Sequence, residues 1–311
     1  MLNMPFRFVF TCLFVLSLLP FRLSANEQKC DSALWFDDWY CELNNSMYNS
    51  VYEMNTWFAS VDNNPNEQPV ASGRIRLGWE PRSGELNEFD SRFKVRVKLP
   101  ALENRVELLF TDEEDDINEK PLKAARNREL GNQQEATVAI QFKAPESKLA
   151  YRVGFGRGGQ LYARSRYYDK WRVADNLQIN YFSEVHYYSR DRLGAELNAR
   201  LIRAITPDSH IEFKNSFRYL AQTNNWYWQH EFNYLHQMQD TRSWMFTLLV
   251  DGTSRPNYRQ EQALTSLRYK RSILRPWLFV EIEPYVIWLR EENFRSSIGI
   301  AMRAEVHFST L

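Results

Sequence analysis

The sequence lacks net charge, a long apolar segment beyond its first residues, and more than a few cysteines. It contains 39 Lys and Arg residues against 39 Asp and Glu residues, so no overall basic field attracts nucleic acid. The mean hydropathy is −0.55, which excludes a bundle of transmembrane helices. Cysteine is limited to 3 positions. The pattern of residues along the chain is therefore the main source of structural information.

One apolar run occurs near the start of the chain, at residues 8–21 (FVFTCLFVLSLLPF). It follows Arg7 and precedes a small-residue stretch ending at Ala25, an arrangement typical of a secretion signal. We expect residues 1–25 to be a signal peptide that is cleaved after Ala25. An uncleaved membrane anchor is the alternative, although the run is shorter than the ~20 residues needed to span a bilayer.

Two cysteines, Cys30 and Cys41, remain after this cleavage. In an oxidising compartment they could close a small loop, so we expect a Cys30–Cys41 disulfide that acts as a structural staple. A metal-binding pair is the alternative. No histidine and no second cysteine pair lies nearby, so we predict no metal site.

Residues 26–72 form a separate N-terminal segment without strand-like alternation. Apolar residues at helical spacing predict a short amphipathic helix near residues 44–60. These residues are Met47, Val51, Met54, Trp57 and Phe58. We expect this partly helical segment in the periplasm, at the rim or in the lower lumen of the domain that follows.

Apolar and polar residues alternate from residue 73 to residue 308, as in residues 92–99 (RFKVRVKL). A period of two places apolar side chains on one face of a sheet and polar side chains on the other. Repeated behind a secretion signal, it predicts an all-β fold, an antiparallel transmembrane β-barrel over residues 73–311. Apolar residues would face lipid and polar residues the lumen. The alternative, a soluble β-sandwich, would have charged inner faces and no core.

The segments predict about fourteen strands, an even number as in bacterial barrels, and twelve is the main rival count. The predicted strands are 73–81, 91–99, 104–111, 135–144, 147–156, 160–168, 175–188, 192–204, 209–221, 225–238, 242–251, 259–271, 276–289 and 295–308. With both termini in the periplasm, the longest connection, residues 112–134, would face the cell exterior.

The last strand carries a recognisable pattern in residues 297–304 (SIGIAMRA). It resembles the C-terminal assembly signal of outer-membrane barrels, in which a polar residue is followed by glycine and then by alternating apolar residues. Phe308 adds the aromatic residue of that signal, although three residues follow it here. The resemblance implies insertion among the lipids of the cell outer membrane by the barrel-assembly machinery. The chain looks like uncharacterised barrel proteins of Gram-negative bacteria.

The strand pattern directs many charged residues to the lumen. The early strands would form a basic wall of Arg74, Arg76, Lys94, Arg96, Lys98, Arg105, Lys143, Arg152, Arg164 and Arg166. The later strands would add acidic residues, namely Glu184, Glu196, Glu212, Glu231, Glu281, Glu283 and Glu305. Rings of charge set ion selectivity in pores. The alternative is a salt-bridge network that fills a narrow lumen.

Three functional hypotheses follow from this pattern. The first is a porin-like channel or passive transporter for small polar solutes, with the basic wall favouring anions. The second is a closed structural barrel that binds a partner, whose identity is unknown, through loop 112–134 or segment 26–72. The third is a hydrolase built on His186 or His307 with Ser216 or Ser266. No motif places those groups within hydrogen-bond reach, so we expect neither an enzyme nor a cofactor.

Overall fold

The computed structural model describes residues 34–59, 70–85, 89–99, 106–111, 122, 125, 137–143, 146–156, 159–239 and 241–310. The chain divides into two units at the Asn45–Ser46 boundary. The predicted signal peptide and cleavage site lie outside the described residues, as does Cys30. Cys41 is disulfide-bonded. Its pairing with Cys30 stays a prediction.

The alternating segments form fourteen antiparallel strands that close into one barrel. Closure leaves no strand edge with unpaired backbone groups, which would be costly in lipid. The strands are β1 (Val70–Trp79), β2 (Phe89–Lys98), β3 (Val106–Thr111), β4 (Thr137–Phe142), β5 (Leu149–Gly156), β6 (Gln160–Ala174), β7 (Leu177–Tyr188), β8 (Arg192–Thr206), β9 (Ser209–Leu220), β10 (Asn225–Gln239), β11 (Arg242–Thr253), β12 (Arg259–Ser272), β13 (Leu278–Leu289) and β14 (Ser296–Ser309). The predicted count of fourteen is confirmed, and the alternative of twelve is wrong.

The first and last strands close the barrel. Gly73 of β1 lies opposite Phe308 of β14, and Trp79 lies opposite Met302. The phenyl ring of Phe308 covers Gly73, where an added Cβ would lie 2.2 Å from the ring. We name the end at which β1 begins and β14 finishes the terminal end, and the opposite end the distal end.

The register sorts side chains as the alternation predicts. Residues opposite each other on neighbouring strands share a face, so Arg76 and Glu305 point the same way and Ile75 and Val306 point the other way. Large apolar side chains are exposed along the outer face, among them Leu77, Val138, Ile140, Phe155, Leu197, Leu248 and Ile300. Such an apolar outer band is the surface that a transmembrane barrel presents to lipid.

Helix α1 (Trp35–Ala59) precedes the barrel and begins nine residues before the predicted start at residue 44. Asp37 and Asp38 lie in its first turn, where negative side chains stabilise the positive end of the helix dipole. The prediction relied on apolar spacing alone and therefore missed this start of the helix. Among the described residues, no helix is long and apolar enough to cross a membrane.

The second half of α1 packs against the barrel wall. Val51 is buried in a cluster with Ala71, Val97 and Leu99, and Met47 adds to it. Ala71 and Val97 lie opposite each other on the outer face of β1 and β2, near the terminal end. Met47 and Val51 therefore lie against the outer face of the wall and not in the lumen.

The first distal connection folds back onto the rim. Arg82 is buried and donates hydrogen bonds to Glu292 at 2.7 Å and to Glu85 at 2.8 Å. Burial alone would lower the pKa of Arg82, but the bonds to these two carboxylates outweigh it and raise the pKa above its ordinary value. Ser83 also donates its backbone N–H to the carbonyl of Ile298. These bonds fix the loop against the start of β14.

Candidate functional site

The lumen gathers most of the charged residues that the sequence analysis predicted. Arg74 lies opposite Lys94, Arg152 opposite Arg164, and Arg166 opposite Glu184. By the same register Arg76, Arg96 and Lys98 share this inner face. So do all seven predicted acidic residues, from Glu184 on β7 to Glu305 on β14.

Two members of the predicted basic wall differ from the others. Lys143 lies one residue beyond the end of β4 and is exposed. Arg105 lies outside the described residues. The basic wall within the strands is thus formed by the remaining eight predicted residues.

Sequence reasoning missed several charged residues of the lumen. Arg92 lies opposite Arg76 and shares its inward face, as the alternation around Lys94 could have indicated. Lys170 and Arg172 also point inward, because β6 continues to Ala174 rather than ending at residue 168. The signal for that extension was the outward alternation of Trp171 and Val173.

The basic wall contains like charges in direct opposition. Arg74 and Lys94 are cross-strand neighbours, as are Arg76 and Arg92, and Arg152 and Arg164. Like charges placed opposite each other on one sheet face destabilise that pair. Asp90 offsets one of these pairs, because its carboxylate lies 2.9 Å from Arg92 and 3.8 Å from Arg76.

The acidic residues of β13 and β14, together with Glu80 just beyond β1, form a paired network instead. Arg303, whose side chain is fully buried, contacts Glu283 at 2.6 Å, Glu80 at 2.9 Å and Glu281 at 3.4 Å. Arg268 donates to the other side of Glu283 at 3.0 Å. Burial of these charges is tolerated because each carboxylate has a guanidinium partner in hydrogen-bonding geometry.

Glu305 joins this network to the basic wall. Lys270 donates a hydrogen bond to Glu305, and Arg74 and Arg76 lie 3.7 Å and 3.8 Å from the same carboxylate. His307 approaches it at 3.1 Å. One carboxylate on β14 therefore offsets cations from β1 and β12.

Carboxylates on β7–β10 are also paired. Arg166 contacts Glu184 at 2.6 Å, and Arg218 contacts Glu196 at 2.9 Å. The next pairs are Arg200 with Glu212 at 2.7 Å and Lys214 with Glu231 at 3.1 Å. The predicted acidic wall is therefore nearly neutral, and the excess positive charge of the described lumen falls on β1–β6.

A cavity of about 320 Å³ lies between these groups. Its lining is mainly charged and comes from β1 and β8–β14, namely Arg74, Arg76, Arg200, Glu212, Lys214, Glu231, Leu235, Ser243, Met245, Arg268, Lys270, Glu281 and Glu305. A space with such a lining suits water and small polar solutes rather than apolar ligands.

Two residues of the long connection between β3 and β4 pack inside the lumen, whereas the sequence analysis placed this connection at the cell exterior. Leu122 and Ala125 of this connection are fully buried. They pack against inward-facing apolar residues of β11–β14, which are Leu249, Leu264, Tyr285, Ile287, Leu289 and Ala301. Gln262 also donates a hydrogen bond to the carbonyl of Ala125 at 2.5 Å.

This insertion had a signal in the sequence that alternation alone did not reveal. Inward positions of a barrel are polar unless something covers them. Leu249, Leu264 and Ile287 break that rule at neighbouring positions of three adjacent strands. Such an apolar inner patch, on the distal half of the wall, indicates that another segment of the chain occupies it.

The hydrolase candidates do not assemble into a catalytic site. His186 contacts Glu184 at 3.2 Å, and His307 contacts Glu305 at 3.1 Å. Ser266 donates its hydroxyl hydrogen bond to the Glu283 carboxylate at 2.7 Å, and not to either histidine. The predicted serine–histidine hydrolase would require the two side chains within hydrogen-bond reach of each other. Among the described residues, no group of three or more potential ligands could hold a metal ion.

The fold and the lumen together define a class, a transmembrane β-barrel with a charged interior. No protein-family model and no curated protein sequence matches this chain. Solved structures that it resembles include the outer membrane channel DcaP of Acinetobacter baumannii, with a TM-score of 0.49 and 5% identity over 77% of this chain and 96% of that one. The charged lumen is therefore the main source of information about function.

Two further solved barrels have similar scores. OmpT of Vibrio cholerae, in a form lacking loop L8, has a TM-score of 0.47 and 10% identity over 78% of this chain and 100% of that chain. The KdgM porin in complex with disordered oligogalacturonate has a TM-score of 0.38 and 6% identity over 76% of this chain and 99% of that chain. With TM-scores below 0.5, these likenesses carry no argument about function.

Proposed function

We propose that this protein is an outer-membrane channel through which small polar solutes diffuse passively, with a preference for anions. The charged cavity of about 320 Å³ inside a closed barrel supports the proposal. The terminal end would face the periplasm, and the distal end would face the cell exterior. Export would use the signal peptide ending at Ala25, and insertion would use the barrel-assembly machinery.

The preference for anions rests on the like-charge pairs of the basic wall. Arg74 and Lys94 point into the lumen side by side, and the next row toward the distal end places Arg76 opposite Arg92. Asp90, which contacts Arg76 and Arg92, offsets part of this charge. The four cations still outnumber Asp90 and Glu305, so a passing anion would be attracted to these rows and a cation would be repelled. Carboxylates near this wall are already engaged by several cations, as Glu305 illustrates.

Conductance of the refolded mature protein, residues 26–311, in planar lipid bilayers tests this proposal. We expect steady current and a reversal potential that favours chloride over potassium. The variant Arg74→Gln with Lys94→Gln should lower the chloride-to-potassium permeability ratio roughly fivefold at 0.1 M salt. Each of the two charges, about 8 Å away in water, contributes about 0.5 kcal/mol to each ion with opposite signs, and screening roughly halves the sum. Glu305 keeps Lys270 and Arg76 as partners in this variant.

The matched control is Lys148→Gln, which removes a cation from a turn where the lysine side chain is 57% exposed. This variant should leave the permeability ratio unchanged because Lys148 lies in the terminal-end turn between β4 and β5 and pairs with Asp169, which is on the outer face of β6. An unchanged ratio in the double variant would refute a role for the basic wall. Absence of conductance in every form would refute the channel itself.

A closed structural barrel is the second candidate, and the filling of the lumen favours it. Leu122 and Ala125 occupy the distal half, and the network around Arg303 occupies part of the wall. This alternative predicts silence in bilayers and recovery of a specific protein in cross-linking experiments. The partner would bind through the loop at residues 112–134 or through segment 26–72. Current that appears only after deletion of residues 26–72 would instead make that segment a plug.

A further inference from the structure

On the outer face of β11 and β12, the type of side chain changes from one cross-strand pair to the next toward the terminal end. Successive cross-strand pairs on this face are Phe246 with Leu267, Trp244 with Tyr269, and Arg242 with Arg271. The order runs from apolar to aromatic to cationic. Aromatic residues mark the depth of the membrane–water interface in barrels, so the arginine pair falls at the depth of the lipid headgroups.

The outward direction of the two arginines follows from their neighbours. Ser243 and Lys270, the next cross-strand pair, line the internal cavity. Because successive residues of a strand point to opposite faces, Arg242 and Arg271 point away from the lumen. The Trp244 and Tyr269 rings pack together beside them with centroids 4.6 Å apart.

Two arginines in direct opposition repel each other on this face. Directly opposite residues have Cβ atoms about 5 Å apart, and like charges at that spacing are destabilising. Within the described part of the chain, neither the Arg242 side chain nor the Arg271 side chain forms a hydrogen bond or an ion pair. The pair therefore lacks a counter-anion from the described protein, on a surface that faces lipid.

We propose that Arg242 and Arg271 bind the phosphate of an anionic phospholipid in the leaflet at the terminal end. A phosphate between the two guanidinium groups can accept two hydrogen bonds from each, the geometry for which arginine is suited. The Trp244–Tyr269 pair would pack against the glycerol and the first acyl carbons. The apolar rows beyond it would contact the acyl chains.

The charge of the pair selects the class of lipid. A zwitterionic headgroup brings its own ammonium group close to the arginines and cancels much of the attraction. A phosphatidylglycerol headgroup brings only the negative phosphate and hydroxyl groups. No carboxylate among the described residues pairs with these two guanidinium groups. They should therefore bind the anionic lipid more tightly than phosphatidylethanolamine.

Native mass spectrometry of the refolded mature protein in detergent tests the proposal. The protein is titrated in parallel with phosphatidylglycerol and phosphatidylethanolamine of identical acyl chains. We expect the first bound lipid to be phosphatidylglycerol, and Arg242→Gln with Arg271→Gln to weaken its binding about tenfold. Phosphatidylethanolamine binding should change little. Because the pair lies outside the lumen, the variant should retain wild-type conductance, which also reports correct folding.

The matched control is Arg203→Gln. Arg203 is an exposed, outward arginine near the terminal end of β8, and its cross-strand neighbours are Leu177 and Ile211 rather than a second cation. This variant should bind phosphatidylglycerol as the wild type does. Equal losses in both variants, or no loss in the double variant, would overturn the proposal. So would arginine-dependent binding of inorganic phosphate without retention of phosphatidylglycerol.

Discussion

Arg303 places a fully buried guanidinium among three carboxylates. Its contacts to Glu283, Glu80 and Glu281 join β14 to β13 and to the end of β1. An isolated buried charge would be very costly, so the network is stable only with all its members present. The residue therefore acts in the wall, where it joins three segments, rather than as a mobile selectivity group.

Replacing Arg303 with methionine should lower the free energy of unfolding by about 3–5 kcal/mol, because Glu281 and Glu283 lose a buried partner. Urea titration of the refolded protein in lipid vesicles, followed by tryptophan fluorescence, measures this loss. Lys148→Met, at an exposed ion pair, should cost no more than about 1 kcal/mol. Equal midpoints for the two variants would mean that the Arg303 network contributes little to stability.

The elements of the barrel could be predicted from the sequence because their pattern is local. Alternation fixes which face each residue occupies, and a shift by one residue would exchange the two faces, so the strand count and the inward charges followed directly. Strand β6 shows the limit of this reasoning. It continues past the predicted end at residue 168, so Lys170 and Arg172 also point into the lumen.

The positions of α1 and of the β3–β4 connection could not be predicted, since both depend on contacts distant in sequence. The apolar spacing of α1 indicates that one face is covered, but not that Ala71 and Val97 of the outer wall cover Val51. Similarly, nothing local to Leu122 indicates that it meets Leu249 and Ile287 across the lumen. Tertiary packing decides such placements, and alternation carries no information about it.

One charged substitution at Leu122 should detach this part of the β3–β4 connection from the inner wall. Leu122→Asp would place a carboxylate in a cluster of mainly apolar side chains that includes Leu249 and Leu264, so the cost of desolvating the charge should break the contact. If this loop narrows the lumen, single-channel conductance should rise, and the barrel itself should stay folded. Measurement in planar bilayers compares this variant with the wild type.

Leu274→Asp provides the control for that comparison. Leu274 is 73% exposed in the turn between β12 and β13, at the terminal end, so the added charge should leave conductance unchanged. A Leu122→Asp channel with wild-type conductance would mean that the loop lies beside the solute path and does not narrow it. The proposal of a channel would survive that result.

At the scale of the whole molecule, the chain has no net charge, yet one part of the described lumen wall carries an excess of positive charge. Acidic residues inside the barrel are paired on β7–β14, and basic residues accumulate on β1–β6. The separation gives the described lumen a positive wall without giving the protein a net charge. Such a wall acts on solutes through its electric field, and the Debye length of the salt solution limits the distance over which that field acts.

Anion preference should therefore depend on ionic strength. The Debye length is about 10 Å at 0.1 M salt and about 3 Å at 1 M, so the field of the basic wall crosses the lumen only in dilute salt. We expect the chloride-to-potassium permeability ratio to be highest at 0.1 M and to approach 1 at 1 M. Arg74→Gln with Lys94→Gln should differ from the wild type in dilute salt and match it in concentrated salt. A ratio that stays constant across this range would mean that direct contacts, rather than the field of the wall, select the solute.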